Sequence, residues 1–320
     1  MGDSKQGGTP STGAVREDDA ARWRRRATYA SVAVALILIV AKLSTYLATQ
    51  SVAILSSLID SSVDLLASVV TLLGVSRALR PPDRNHRFGH GKAEPLAALA
   101  QAAFVTGSAV FLGYEAMSRL ITPQPVEETT AGIAVMVFAI VLTGGLILFQ
   151  KWVIRRTGSI AIDADSLHYS GDLYMNMAVI AALVVTSWTG SVYWDPIFAL
   201  GIAAFLIWSA SRIVNTALGV LMDRELADSD RQRIKTLVLS HPQARGLHDL
   251  RTRSTGVGQH VEFHLELDSH LTLAEAHDIT DEIERSLRAA YPVSEITIHQ
   301  EPAGLVDERL DDRLVRKKRL

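Results

Sequence analysis

Long apolar runs dominate the chain from residue 27 to 221 and then give way to shorter, mixed patterns. The first run, Ala27 to about Thr49, is long enough to cross a hydrocarbon core. It is too long for a signal-peptide core and has no convincing small-residue cleavage site, so it reads as a retained membrane helix. Further runs near 52–78, 95–119, 130–151, 162–187 and 195–221 reach the required length, which predicts a six-helix transmembrane domain over 27–221. Ahead of it, residues 1–20 have almost no large apolar side chains to offset the entropy of ordering. A disordered cytoplasmic tail, 1–26, is expected there, ending in Arg22, Arg24, Arg25 and Arg26.

Beyond Asp223 the period changes to that of a water-soluble α+β module. A helix is expected over about Ser229 to Ser240, ended by His241 and Pro242. A first strand lies near His248 to Ser254. Gly256 to Gly258 read as the turn before a second, in which Val261, Phe263, Leu265 and Leu267 alternate with Glu262, His264 and Glu266. A helix from about Leu273 to Ala290 and a short strand with Ile296 and Ile298 on one face complete an αββαβ order over 222–302, a small sheet backed by two helices. Residues 303–320 form a charged tail.

Basic residues then orient the spans. Arg22 to Arg26, Arg77 to Lys92, and Lys151, Arg155 and Arg156 fall on one side, whereas the opposite connections carry only Arg119. Both termini, and the αββαβ domain, are therefore expected in the cytoplasm, with Trp188, Tyr193 and Trp194 at the outer interface of a bacterial plasma (inner) membrane. A formal charge of −2 gives no basic field for nucleic acid. The absence of cysteine excludes disulfides, thiolate metal sites and iron–sulfur clusters, which leaves oxygen and imidazole as metal ligands.

Such ligands sit inside the spans. Asp60 and Asp64 lie mid-span in the second helix, where each costs roughly 2.5 to 3.5 kcal/mol at a bilayer centre. Their spacing of four places both on one helical face, extended by Ser57, Ser61, Ser68 and Thr71. The fifth helix repeats the device with His168, Asp172 and Asn176. With these helices antiparallel, Asp60 meets the depth of Asp172, and Asp64 that of His168. Three carboxylates and one imidazole then form a tetrahedral set for a borderline divalent cation. Buried ion pairs or interhelical hydrogen bonds are the structural alternative, but no Lys or Arg occupies the middle of either span. Lys42 lies close enough to the outer end of the first helix to snorkel, and is read as structural. Asp163 and Asp165 are expected to cap the fifth helix or line an entrance.

Asp60-x-x-x-Asp64, His168-x-x-x-Asp172 and the run HRFGHGKAEPLAALAQ from His86 to Gln101 resemble the cation diffusion facilitator family, and most closely its bacterial zinc and ferrous-iron efflux pumps. The resemblance extends from about residue 27 to Pro302 and includes HDLRTR at His248 to Arg253 and IHQEP at Ile298 to Pro302. It implies that Asp60, Asp64, His168 and Asp172 are the intramembrane transport site, and that Asp83, His86 and His90 form a second site in the loop between the second and third helices. By residue type alone that loop offers one carboxylate and two imidazoles, enough for an open three-ligand site, or else a solvated basic loop that sets topology.

The resemblance also implies cytoplasmic ligands at His248, His264, His277 and His299, with Glu301 where the family has aspartate. The extra methylene would shift a bridging carboxylate or lose one of two ions. By position, His264 and His299 lie on polar strand faces and His277 on a nearby helix, where histidines are often only solvated; His241, His260 and His270 are read as surface residues. A homodimer is implied, with Lys92 and Asp223 at a charged contact near the membrane surface. An exposed pair contributes only about 0 to 1 kcal/mol, so its value would be positional.

The expected function is export of a divalent metal, Zn(II) foremost and Fe(II) or Cd(II) otherwise, in exchange for protons. Zn(II) is then substrate and regulatory ion rather than a prosthetic group. The partners are the lipid bilayer, metal cations, protons and a second copy of the chain. An intramembrane metalloenzyme is the rival from another class, but the sequence has no His-Glu-x-x-His pattern. A membrane-anchored metal sensor is a third reading, and an anchor has no use for buried carboxylates.

Overall fold

Six helices form over the six apolar runs: α1 (Thr12–Thr49), α2 (Val52–Ala78), α3 (Ala93–Ile121), α4 (Thr130–Thr157), α5 (Ile160–Thr189) and α6 (Trp194–Leu221). The structure, a computed structural model, describes residues 12–50, 52–122, 130–191, 193–305 and Arg309. Each of the six helices is long and apolar enough to cross a membrane. A helix is the form that satisfies every backbone N–H and C=O without water. Large side chains such as Phe111 and Leu148, 70% and 72% exposed, fit an apolar surround.

The helix bounds follow local chemistry. Ser159 caps α5, its hydroxyl accepting from the Ile162 N–H at 3.3 Å, so neither Asp163 nor Asp165 is the cap. Gly190, with φ at 71°, ends the same helix in the left-handed region. Between α2 and α3, a Cβ on Gly74 would stand 2.3 Å from the Ala97 Cβ, so only glycine permits this approach.

The first helix differs from expectation. Residues 12–26, anticipated within a disordered tail, are helical, while residues 1–11 lie outside the described part. The cause is tertiary. Arg24 is buried and pairs with Glu94 at 3.0 Å while donating to the Thr157 carbonyl at 2.7 Å, and Trp23 packs edge-on against Trp152 at 4.6 Å. No sequence period announces such anchors.

The C-terminal unit comprises α7 (Asp228–Leu239), β1 (Gly246–Ser254), β2 (Gln259–Leu267), α8 (Leu273–Ala290) and β3 (Ser294–Pro302), the expected αββαβ order. β2 is central, antiparallel to β1 and parallel to β3. A parallel neighbour requires a crossover, and α8 supplies it. Val261, Phe263, Leu265 and Leu267 bury one face of β2 against Ile234 and Val238 of α7 and Ile279, Ile283 and Leu287 of α8. A reciprocal capping box of Thr272 and Glu275 starts α8, and the Thr272 backbone N–H holds the Glu275 carboxyl below its ordinary range. β3 is longer than its two apolar residues suggested, because it pairs with the full length of β2. Of the charged tail 303–320, only residues up to 305 and Arg309 are described. Residues 20–218 and the chain from Gly219 onward are separate compact units.

Candidate metal centres

Between α2 and α5, His168 Nε2 lies 2.9 Å from Asp64 Oδ1, the pairing that antiparallel helices required. Ligand atoms of Asp64, His168 and Asp172 all fall within 4.8 Å of one another. His168 is buried, its side chain 5% exposed. Asp60 is not part of that close group but lines the same cavity of about 520 Å³. Asn176 serves the backbone, donating to the Asp172 carbonyl at 2.9 Å. Ser68 is drawn away to the Tyr169 hydroxyl at 2.8 Å.

Two acidic or basic groups behave differently from expectation. Lys42 does not snorkel: its Nζ donates to the Ser57 carbonyl at 3.1 Å and to Ser61 Oγ at 2.7 Å, and it lines the cavity with the carboxylates. The polar stripe of α2 supplies acceptors within the helix pair, which an ammonium in an apolar phase needs. Asp165 neither caps nor lines an entrance. It is buried and accepts from Ser31 Oγ at 2.6 Å, Gln150 Nε2 at 2.7 Å and Gln101 Nε2 at 3.1 Å, joining α1, α4 and α3 to α5. Asp163 remains exposed and lines a separate cavity beside Lys151 and Arg212.

The α2–α3 loop brings together all three residues expected of it. Asp83, His86 and His90 place ligand atoms within 4.8 Å of one another. Asp83 Oδ1 accepts from the His86 N–H at 2.7 Å and the Asn85 N–H at 2.9 Å, and Oδ2 lies 3.3 Å from His90 Nε2. These contacts, the His86 N–H first, hold the Asp83 carboxyl below its ordinary range.

The sheet of the C-terminal unit assembles a third cluster by register. β1 sets His248 opposite His264, and β2 sets His264 opposite His299 and Glu266 opposite Glu301. Glu301 bridges two imidazoles, with one oxygen 2.8 Å from His248 Nε2 and the other 3.3 Å from His264 Nδ1. The His299 ring lies 4.7 Å from that of His264. His277 is not brought to this cluster: its ring is 66% exposed and faces Asp281 at 3.8 Å. Glu266 was not anticipated as part of the site, yet its Oε1 lies 3.1 Å from His248 Nδ1. Its signal was present in β2, where Glu266 follows His264 by two and so shares its face. Arg309 also reaches Glu266, at 2.7 Å. Of the remaining histidines, His241 pairs with Glu282 at 3.1 Å and His270 is exposed. His260 and His241 depart from the surface reading, with side chains only 12% and 15% exposed. Asp223, with φ at 55°, accepts from Arg253 at 3.2 Å, and Lys92 stands at the N-cap of α3.

Comparison with known proteins gives two matching family models. That of the cation efflux transmembrane domain covers residues 28–222, and that of the cation efflux protein cytoplasmic domain covers 226–303. The cation-efflux pump FieF of Cronobacter sakazakii is 44% identical over 288 residues, which span 90% of this chain and 96% of that protein. The FieF of Shewanella oneidensis is 46% identical over 280 residues, spanning 88% and 94%. A solved structure of CzrB in its zinc form is 35% identical over 27% of this chain and 99% of that one, with a TM-score of 0.25.

Proposed function

The chain belongs to the cation efflux family, and from that premise we propose that it is a secondary transporter exporting a divalent metal, Zn(II) foremost, from the cytoplasm in exchange for protons. The observation that carries this reading is the close group of Asp64, His168 and Asp172 on two membrane-length helices. With Asp60 in the same cavity, the four supply oxygen and imidazole donors without a thiolate. One imidazole among carboxylates favours Zn(II) and Cd(II) over the harder Mn(II), and Fe(II) shares the donor set.

Proton exchange follows from ligand chemistry. A divalent ion takes deprotonated carboxylates and a neutral imidazole, so loading releases protons, and unloading takes them up. When the site alternates its access across an inner membrane with both termini in the cytoplasm, an inward proton gradient drives metal outward. Asp83, His86 and His90 are the loop metal site, where an already ionised Asp83 favours capture of a cation. His248, His264, His299 and Glu301 hold a regulatory ion, with His277 reaching it only through a rearrangement or from a second copy. The working unit is a homodimer, with Lys92 and Asp223 at its charged contact.

Flux into sealed vesicles tests the proposal. The purified protein should move Zn(II) faster when a pH gradient is imposed, and a metal panel should rank Cd(II) and Fe(II) against it. Transport indifferent to the gradient rules out exchange, and chemical turnover of a substrate without metal flux would favour an enzyme.

A further inference from the structure

Lys42 is a cation of the transport cavity to which the exchange mechanism above gives no task; the cavity's further carboxylate, Glu115, is already paired with Arg119 at 2.9 Å. It comes from α1, whereas Asp60 and Asp64 come from α2 and His168 and Asp172 from α5. Its ammonium is held by the Ser57 carbonyl and Ser61 Oγ, on the same polar stripe of α2 that carries the aspartates. All three aspartates line its cavity. A lysine in an apolar span is costly, and one whose only task was to staple α1 to α2 could be replaced by a neutral donor.

Charge balance indicates a different task. Three ionised carboxylates, a neutral imidazole and a divalent cargo leave one negative charge, which the ammonium cancels. A fixed positive charge in the same low-dielectric cavity also repels the cargo. The ammonium is drawn more strongly to the three charges of the emptied site than to the single net charge of the loaded one, so it lowers the cost of letting the metal go. We propose that Lys42 is a tethered counter-cation that sets the transport site's affinity, weakening its hold on a divalent metal so that release keeps pace with loading. This role rests on the transport reading and adds an affinity-setting residue to it.

The test is Zn(II) flux by full-length protein in sealed vesicles, with KM and kcat measured separately. Lys42→Gln keeps a hydrogen-bond donor and removes the charge; KM is expected to fall about tenfold, with kcat falling because release is slowed. Lys42→Arg keeps the charge and should hold KM within about twofold of the wild-type value. Lys42→Met, of similar length and at home among apolar helices, gives the same readout should the glutamine variant fail to assemble. A hydrogen-bond staple predicts the reverse order, with the donor-retaining glutamine leaving KM unchanged. An unchanged or raised KM in charge-removed variants, alongside a transporting wild type, overturns the role of Lys42 alone. A wild type that moves no divalent metal takes the transport reading down with it.

Discussion

The cluster between α2 and α5 and the cluster on the C-terminal sheet draw on the same side-chain types in opposite proportions. The first sets two carboxylates against one imidazole, with a lysine in its cavity. The second sets two imidazoles about one bridging carboxylate, with a third imidazole tilted alongside. Their scaffolds differ as well. Helices α2 and α5 meet through side chains and can slide or tilt, which changes the separation of ligands they carry. β1, β2 and β3 are locked by a backbone ladder whose register fixes the ligands. A site that must let its ion go suits the first construction, and one that must keep it suits the second.

The largest test of that division is Asp172→Ala or Asp64→Ala. Each should abolish Zn(II) flux, at least about a hundredfold down, because a four-donor site loses a charged ligand. Zinc binding at the C-terminal sheet should be untouched in the same full-length variants, and calorimetry beside vesicle flux on those variants checks both. Equal damage to the two functions would break the comparison.

A smaller effect sharpens it. Glu266 orients His248 without joining the close ligand group, as an outer carboxylate does for a metal-bound histidine. Glu266→Gln in residues 222–302 should weaken zinc about 10- to 100-fold, and reduce the rise in melting temperature that saturating zinc produces. An unchanged affinity would assign Glu266 to Arg309 instead.

Much of this was legible because it is local. The six spans, the alternation of β2 and the i,i+4 pairs are short-range patterns, and antiparallel helices already placed Asp64 opposite His168. The rest depends on convergence from distant elements. Lys42 was read toward the surface because its acceptors belong to α2, and Asp165 toward an entrance because three other helices supply its donors. The helical residues 12–26 were read as disordered because Arg24 finds Glu94 seventy positions away. Glu266 is the exception, since strand alternation alone placed it beside His264.

The smallest effect concerns the loop, which stands between the two constructions with one carboxylate and two imidazoles. In a chain carrying Asp172→Ala, His248→Ala and Glu301→Ala, His86→Ala should lower the remaining zinc affinity about tenfold, because an open three-ligand site loses one donor. Asp83 sets the acid limit of that site: its carboxyl is held below the ordinary 3.8, so its share is lost only as pH falls through that lower value. Titration calorimetry with and without His86→Ala checks the ligand, and an unchanged affinity would return the loop to a solvated segment that only sets topology.

The parallel pairing of β3 with β2 imposes an order in time. Translation delivers His248 and His264 well before Glu301, and all of α1 to α6 before any of them. Domains fold roughly in the order in which the ribosome makes them. The bridging carboxylate therefore reaches its imidazoles only after the last membrane helix has been synthesised. A nascent chain carries no finished sheet-borne metal trap while its helices enter the bilayer, and a message cut short before codon 301 yields a protein whose histidines wait for a partner that never arrives.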